Sequence, residues 1–555
     1  MPEIEDNDYR IHLVLGITGH IDIPKEDVDK LKEKIKEIFN ELKGKYPHTP
    51  LLLLTPLAEG ADRIAAKAAI EEGIDYVVVL PFPEEEYVKD FPESKDEYYD
   101  LTDKEKHKNL KGIFSLKDKI DDDAKKYGPE RDKLYENLGA YIAKHSQVLI
   151  ALWDGKEGKR GGTSEVIKFK LKGLPDEYHP HGDKLDKPDT GPVYIVYTRR
   201  KGNDSHIFTS DPHVEIRYPE NSDSNYFTGK NDIFKRFDEF NAESEKLKKE
   251  EIEKSREDLA DSASDKEKFV SYIFAKADVL AKRYKRAWQT SNAFLIALGL
   301  LTTLIFAIYF WIGNNYLLLI YGILFTLFAI FFKFLNIFHK YHQKYVDYRV
   351  LAEGLRILFF MRMAGLHEYP EDYYLKKHRI NFRWGRDIIR SANIFDPQPV
   401  PDFSTIEKYW INTELNFYRT KVAENNRKLR IYKNLSLAFF TSSILTILIA
   451  IVFVFMNMNN YLIVLFSLIT VLPLISGAFE AYISRNAFTY NSKQYSIMKD
   501  IFERATERLK ELDSSNAQNI EEEKKSVIRE LLKEAARENA DWMLMHTELR
   551  EDIQL

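Results

Sequence analysis

The sequence predicts a chain in two parts: an α/β N-terminal half built on a Rossmann-like parallel sheet, then an all-α half with four transmembrane helices in two hairpins and cytosolic helical extensions. Three observations carry this reading. Short apolar runs alternate with helical patterns over residues 11–197. Four later blocks each hold about twenty nearly uninterrupted apolar residues. Those blocks form two close pairs joined by uncharged turns.

The composition agrees. At 555 residues the chain is too long for one core. Its 30% of charged residues hides a split, because the apolar residues crowd into the four blocks. A net charge of −6 with no basic stripe offers no footprint for nucleic acid, and none is expected as a partner. The chain has no cysteine, which excludes disulfides, thiolate metal sites and cysteine nucleophiles and suits a reducing cytosol. Residues 1–10 are acidic and polar, unlike a signal peptide or an acylation site, so the first domain is expected to stay in the cytosol.

In the α/β half, candidate strands are residues 11–15, 51–54, 77–80, 148–152 and 193–197. The clearest helix runs from Pro24 to about Lys43; Val28, Leu31, Ile35, Ile38, Phe39 and Leu42 form its apolar face, and Pro24 suits a first turn. All-apolar strands joined by crossover helices imply a parallel sheet covered on both faces, which binds ligands beyond the carboxyl ends of its strands. Gly16, Thr18, Gly19 and His20 follow the first strand; Glu59, Gly60 and Asp62 follow the second, and Pro81 the third. Trp153, Asp154 and Gly155 follow the fourth, and Gly161, Gly162, Thr163, Ser164 and Glu165 then open a helix. Glycine lets a backbone approach a ligand closely, and a helix N-terminus offers N–H groups to phosphate. Together these loops point to a nucleotide or phosphoribosyl pocket. The pattern is neither a P-loop nor an ordinary dinucleotide fingerprint. His20 reads as a loop histidine that contacts phosphate or caps a backbone group. Glu165 could orient a ribose hydroxyl, act as a general acid or cap its helix. No residue is assigned to catalysis or to a metal.

The candidate spans are residues 292–312, 316–335, 435–456 and 461–481, each long enough for a hydrocarbon core of about 30 Å. Gly313-Asn314-Asn315 and Asn457-Met458-Asn459-Asn460 are the turns. Basic flanks lie on the other side: Lys282, Arg283, Lys285 and Arg286; Lys340 and Lys344; Arg427, Lys428, Arg430 and Lys433; and Arg485. The positive-inside rule therefore expects both termini and the middle segment in the cytoplasm, with Trp288, Trp311, Tyr316 and Tyr461 at the interfaces. Lys333 and Glu480 lie near cytoplasmic ends and the span centres carry no charge, which argues against a proton-coupled pump, a voltage sensor or a substrate-ion transporter. Small and hydroxylated residues recur at helical spacing: Gly299, Thr303, Ala307; Gly322, Thr326, Ala329; Ser467, Thr470, Gly477. Such stripes favour close helix association, and in an oligomer some could line a pore. Residues 232–268 read as a solvated helical connector and 499–541 as a charged helix pair. Arg349, Glu353 and Arg356 fall on neighbouring turns of an amphipathic helix over 346–366. Helices 277–290 and 345–358 are expected to be the only joins between the cytosolic domain and the spans.

Gly16-Ile17-Thr18-Gly19-His20, Leu57-Ala58-Glu59-Gly60-Ala61-Asp62-Arg63, Trp153-Asp154-Gly155 and Gly161-Gly162-Thr163 resemble motifs of the SLOG superfamily, the nucleotide-binding group that includes the cytokinin-activating LOG enzymes. Those hydrolases carry P-G-G-x-G-T-x-x-E with a catalytic glutamate and arginine; here Lys159-Arg160-Gly161-Gly162-Thr163-Ser164-Glu165 lacks the proline and one spacing. Residues 277–281, 348–356 and 540–546 are similar to motifs of the SLATT families, transmembrane effectors that accompany SLOG sensors in bacterial conflict systems. The resemblance implies a nucleotide or ADP-ribose-like ligand, a homo-oligomer in the bacterial inner membrane, and a pore-forming or membrane-perturbing effector in antiphage defence. The alternative is a membrane-anchored nucleotide or N-glycoside hydrolase of LOG type. The expected divisions are 1–230 for the sensing domain, 231–290 for the connector, 291–366 for the first hairpin with its cytosolic helix, 367–430 for linker helices, and 431–555 for the second hairpin with C-terminal helices.

Overall fold

A computed structural model describes residues 9–158, 161–178, 189–201, 212–219, 227, 232–333, 335–374, 382–394, 401–456, 458–485, 488–514 and 519–548. Lys159, Arg160 and Asn457 lie outside the described residues, as do the side chains of Trp311, Asn459, Asn460 and Arg485.

The N-terminal half is a seven-stranded sheet. Its strands are β1 (Leu13–Gly19), β2 (Leu51–Thr55), β3 (Asp75–Leu80), β4 (Leu110–Ser115), β5 (Val148–Trp153), β6 (Val193–Tyr197) and β7 (Val214–Arg217). They lie in the order β4-β3-β2-β1-β5-β6-β7, all parallel except β7. The five strands expected from apolar runs are present, and their side chains are buried because helices cover both faces. Helix α1 (Val28–Lys45) buries Leu31, Ile35, Ile38, Phe39 and Leu42, preceded by a 3-10 turn that Pro24 caps. The other helices near the candidate site are α2 (Ala61–Glu71), α3 (Pro129–His145) and α4 (Thr163–Lys172).

Two edges differ from expectation. The strands β4 and β7 were not foreseen. The segment Gly16 to Gly19 is not a loop but the second half of β1, with Gly16 opposite Leu149 and Gly19 opposite Leu152. A Cβ on Gly16 would come within 2.8 Å of Ile142 on α3 and of Ser146 just after it, so glycine there permits helix packing.

The connector is also more deeply built in than a solvated helix. Helix α5 (Ile233–Ser244) buries Phe234, Phe237 and Phe240. Asn241 donates to Ile11 O at 2.9 Å and accepts from Ile11 N at 3.0 Å, satisfying the backbone where the chain enters β1. Helix α6 (Lys249–Ala260) follows.

Among the described residues, four helices are long and apolar enough to cross a membrane. The candidate spans lie in α7 (Lys268–Ile312), α8 (Asn315–Lys333), α11 (Asn412–Phe455) and α12 (Asn459–Arg485). Between the hairpins lie α9 (Leu335–Met363) and α10 (Arg383–Asn393); α13 (Phe488–Asp513) and α14 (Ile520–Glu548) follow. At 45 residues α7 is about 68 Å long, so it reaches well below any bilayer. Phe310 and Phe455 are 78% and 84% exposed, an arrangement suited to lipid rather than water. Gly313 ends α7 in the left-handed conformation, and Asn314 accepts from Tyr316 N at 2.9 Å to start α8.

The small-residue stripes divide by role. Gly299 lies against Phe328 within the first hairpin, whereas no atom would touch a Cβ on Gly322 or Gly477. Thr303, Thr326 and Thr470 bond back to carbonyls of their own helices. The second hairpin is pinned by a pair outside those stripes: the buried hydroxyls of Ser436 and Ser476 sit 3.0 Å apart, and Ser476 also donates to Ser436 O at 2.9 Å. The hairpins meet where Leu474 and Ala478 join Gly299, Thr302 and Phe306 around an apolar cavity of about 520 Å³. Below the spans, Arg349 pairs with Glu353 at 2.8 Å on the same helix, and Arg356 reaches Glu414 on α11 at 2.5 Å.

Candidate functional site

The strand order places the topological switch between β1 and β5: the chain leaves β1 for β2 on one side, and β5 packs on the other. The crevice beyond the carboxyl ends of these two strands is where such sheets bind ligands. The sequence puts Gly19-His20 at one lip and Trp153-Asp154-Gly155 at the other.

The two lips are tied together. His20 N donates to Leu152 O at 3.2 Å, and Asp154 N donates to His20 Nε2 at 3.1 Å. An Asp154 carboxylate oxygen also lies 3.1 Å from that nitrogen. Burial lowers the His20 pKa and nearby Arg200 pushes the same way, against the raising effect of Asp154. His20 Nε2 thus faces both the backbone N–H and the carboxylate of Asp154, so the ring ties the two lips together. Asp154 further accepts from Lys156 N at 3.1 Å and is buried, so its carboxylate shapes the loop. Gly155 follows with φ +82°, in the left-handed region. The Trp153 indole donates to Lys156 O at 2.8 Å, and its ring stacks on Tyr197.

The loop after β2 closes over the same place. Ala61 N donates to His20 O at 3.1 Å, which aims the N-terminus of α2 at the switch point. Gly60 has φ +75°, and a Cβ on it would lie 2.4 Å from His20 O. A Cβ on Gly19 would lie 2.3 Å from that of Ala61. Both glycines are therefore demanded by one close backbone approach. Leu57, a buried residue at φ +58°, marks backbone strain in this loop. Arg63 restrains it by donating to Leu57 O at 3.1 Å, Ser94 O at 3.0 Å and Glu97 at 2.7 Å. Glu59 accepts from the Ser94 hydroxyl.

Asp62 lies in the first turn of α2. Its carboxyl is buried and accepts from Ala58 N at 3.2 Å, and burial pushes its pKa up to about 8. This carboxyl is hydrogen-bonded within its own loop.

The third lip is the start of α4. Gly161, at φ +74°, donates its N–H to the Glu165 carboxylate. Gly162 is the N-cap, with its carbonyl accepting from Glu165 N at 2.9 Å. Ser164 Oγ accepts from Gly158 N at 2.9 Å, which binds this turn to the loop after β5. Thr163 and Ser164 are buried in the first turn. Of the three roles open to Glu165, the geometry displays the cap.

The structure thus brings Gly19, His20, Gly60, Asp154 and Gly155 to one edge, with the turn from Gly161 to Glu165 hydrogen-bonded to the same loop. Thr18 is half-buried within β1, opposite Ala151. Gly16 belongs to packing against α3, and Pro81 is buried at the end of β3, two strands away from β1.

Sequence reasoning missed the ion pairs beside His20. Arg200 pairs with Asp22 at 2.9 Å, and Lys201 N donates to Asp22 O at 2.8 Å, so the segment after β6 is fastened beside His20. Arg199 pairs with Asp27 at 2.7 Å. The signal was the run Thr198-Arg199-Arg200-Lys201 at the carboxyl end of the last parallel strand, where a phosphate-binding cation would be sought. Comparison with protein-family models, curated proteins and solved structures found no match to this chain.

Proposed function

We propose that this chain is a membrane effector gated by a nucleotide-derived ligand, with nucleotide or ADP-ribose-like chemistry, held at the β1/β5 switch point. One observation carries the reading: the N-terminus of α2 is bonded onto the His20 lip, and the N-terminus of α4 is bonded to the loop bearing Asp154. In this reading the two helix N-termini at one edge offer their remaining first-turn N–H groups to a phosphate-bearing molecule, with Arg200, paired with Asp22, beside them. The four apolar helices on the same chain provide the output. The SLOG-like and SLATT-like motifs point the same way. In this reading both termini face the cytoplasm of a bacterial plasma membrane. Subunits assemble through spans such as those carrying the uncovered Gly322 and Gly477, and ligand occupancy reorganises them so that the membrane is perturbed.

The test is thermal stabilisation of the full chain in detergent by ADP-ribose, ATP and NAD, with released base followed in parallel. The parent should be stabilised without base release, and Gly162→Val should lose the stabilisation because a branched side chain crowds the α4 N-terminus. Stabilisation accompanied by base release would instead favour the membrane-anchored hydrolase. No stabilisation by any of the three sinks the reading.

A further inference from the structure

The α/β domain touches the membrane half at a place that chain connectivity does not require. Helix α10, from the segment between the hairpins, lies against the sheet domain with Ile388, Ile389 and Trp384 buried. On its other side it meets α9, where a Cβ on Gly354 would come within 2.7 Å of Ile389. Asp189, just before β6, accepts from Arg386 at 2.7 Å and from Arg390 at 2.6 Å. These guanidiniums are one turn apart on α10. Arg390 also donates to Glu371 at 3.0 Å, and Arg383 donates to Thr190 O. Burial opposes the charge on Asp189, yet Arg386, Arg390 and Arg383 hold its carboxyl well below the ordinary range. Gln147 bridges in parallel, accepting from Val14 N at 2.8 Å and donating to Asp387 O at 3.4 Å.

This clasp is joined to the crevice by one helix. The first turn of α4 is a lip of the crevice, and the carbonyl of Lys170 near its other end accepts from Gly191 N at 2.9 Å, two residues from Asp189. The Lys170 side chain is buried and donates to Ala143 O at 3.1 Å and to Ser146 O at the end of α3. Gly191 is pressed between Gln147 and Lys170, since a Cβ there would lie 2.4 Å from each. Ten residues of helix make a strut of about 15 Å with tight contacts at both ends.

We propose that α4 is the transmission element of this protein: it carries occupancy of the crevice to the membrane helices through the Asp189 clasp on α10 and thence α9. The proposal rests on the gated-effector reading and names its coupling route. An anion drawn onto the first turn of α4 takes the place of the Glu165 carboxylate at Gly161 N and shifts a helix whose far end is bonded beside Asp189. The clasp registers small displacements because two fixed guanidiniums share one carboxylate. Because α4 is bonded at both ends, loosening the clasp frees the strut and should be felt at its first turns even without ligand.

Hydrogen exchange of the full chain in lipid nanodiscs tests this, comparing the parent with Asp189→Asn and the milder Arg386→Gln. Without ligand, both variants should exchange faster in α10, and also in the first two turns of α4 by about fivefold or more. Faster exchange in α10 alone, with α4 unchanged in both variants, overturns the proposal. In a second arm ADP-ribose is the probe. It should slow exchange in α10 of the parent, and in Asp189→Asn it should protect α4 without protecting α10. Equal protection of α10 in parent and variant also overturns the route. Absence of ADP-ribose binding to the parent counts against the nucleotide reading, while the ligand-free arm still decides the coupling.

Discussion

Replacing Asp62 by Asn should remove a large pH dependence from the stability of the α/β half. In the folded chain Asp62 keeps its proton up to about pH 8, because burial raises its pKa. In the unfolded chain the same group ionises near pH 4. Between those limits the native state binds the extra proton. Stability is therefore fullest below the unfolded pKa and falls as pH rises through the folded one, at about 1.4 kcal/mol per pH unit for this single group. Over about four units the loss is on the order of 5 kcal/mol. Asparagine is neutral in both states, and its carbonyl can still accept from Ala58 N, so the variant lacks this slope. Urea unfolding of parent and variant in detergent, from about pH 5 to about pH 8, reads the difference directly. Near pH 5 the two should lie within about 1–2 kcal/mol, and near pH 8 the variant should be more stable by several kcal/mol. Parallel curves would mean that Asp62 is ionised in the native state, and then it could face a cation or a ligand after all.

Other expectations follow from the same geometry. Gly60→Ala places a Cβ against His20 O in a left-handed backbone, which should cost about 1–3 kcal/mol in strain alone and lower the urea midpoint; an unchanged midpoint would contradict the close approach. A reporter fused at Asn314 should be accessible from outside intact cells, and reporters at Met1, His367 and Leu555 from inside; protection of the Asn314 fusion in spheroplasts would reverse the topology.

What the sequence disclosed depended on how each element buries its surface. The spans were legible because lipid demands about twenty apolar residues in a row. The five inner strands were legible because burial on both faces makes them uniformly apolar. Strand β4 carries Lys111 and Gly112 at a half-exposed edge, and β7 has only four residues, Val-Glu-Ile-Arg, so neither shows that pattern. Glycines misled at Gly16: their need arises from Ile142 and Ser146 more than a hundred residues away, which no local pattern reports. Helix α10 falls within the expected linker helices, but its packing was hidden for the opposite reason. Arg386 and Arg390 are buried by pairing with Asp189, so a core-facing helix reads as polar and charged. The strand ends that carry the candidate residues were legible. The roles of those residues were not, because Asp62 and Glu165 are spent on backbone N–H groups that only the folded loops bring near.

The central claim is that ligand in the crevice governs the membrane. Proteoliposomes of the full chain, loaded with a self-quenching dye and exposed on the side of the α/β domain to ADP-ribose, ATP or NAD, test it most directly. The account predicts dye release by the parent with whichever of these stabilises it, little release without ligand, and none with Gly162→Val. Release by Gly162→Val equal to that of the parent, or binding of a ligand that never releases dye, would contradict it.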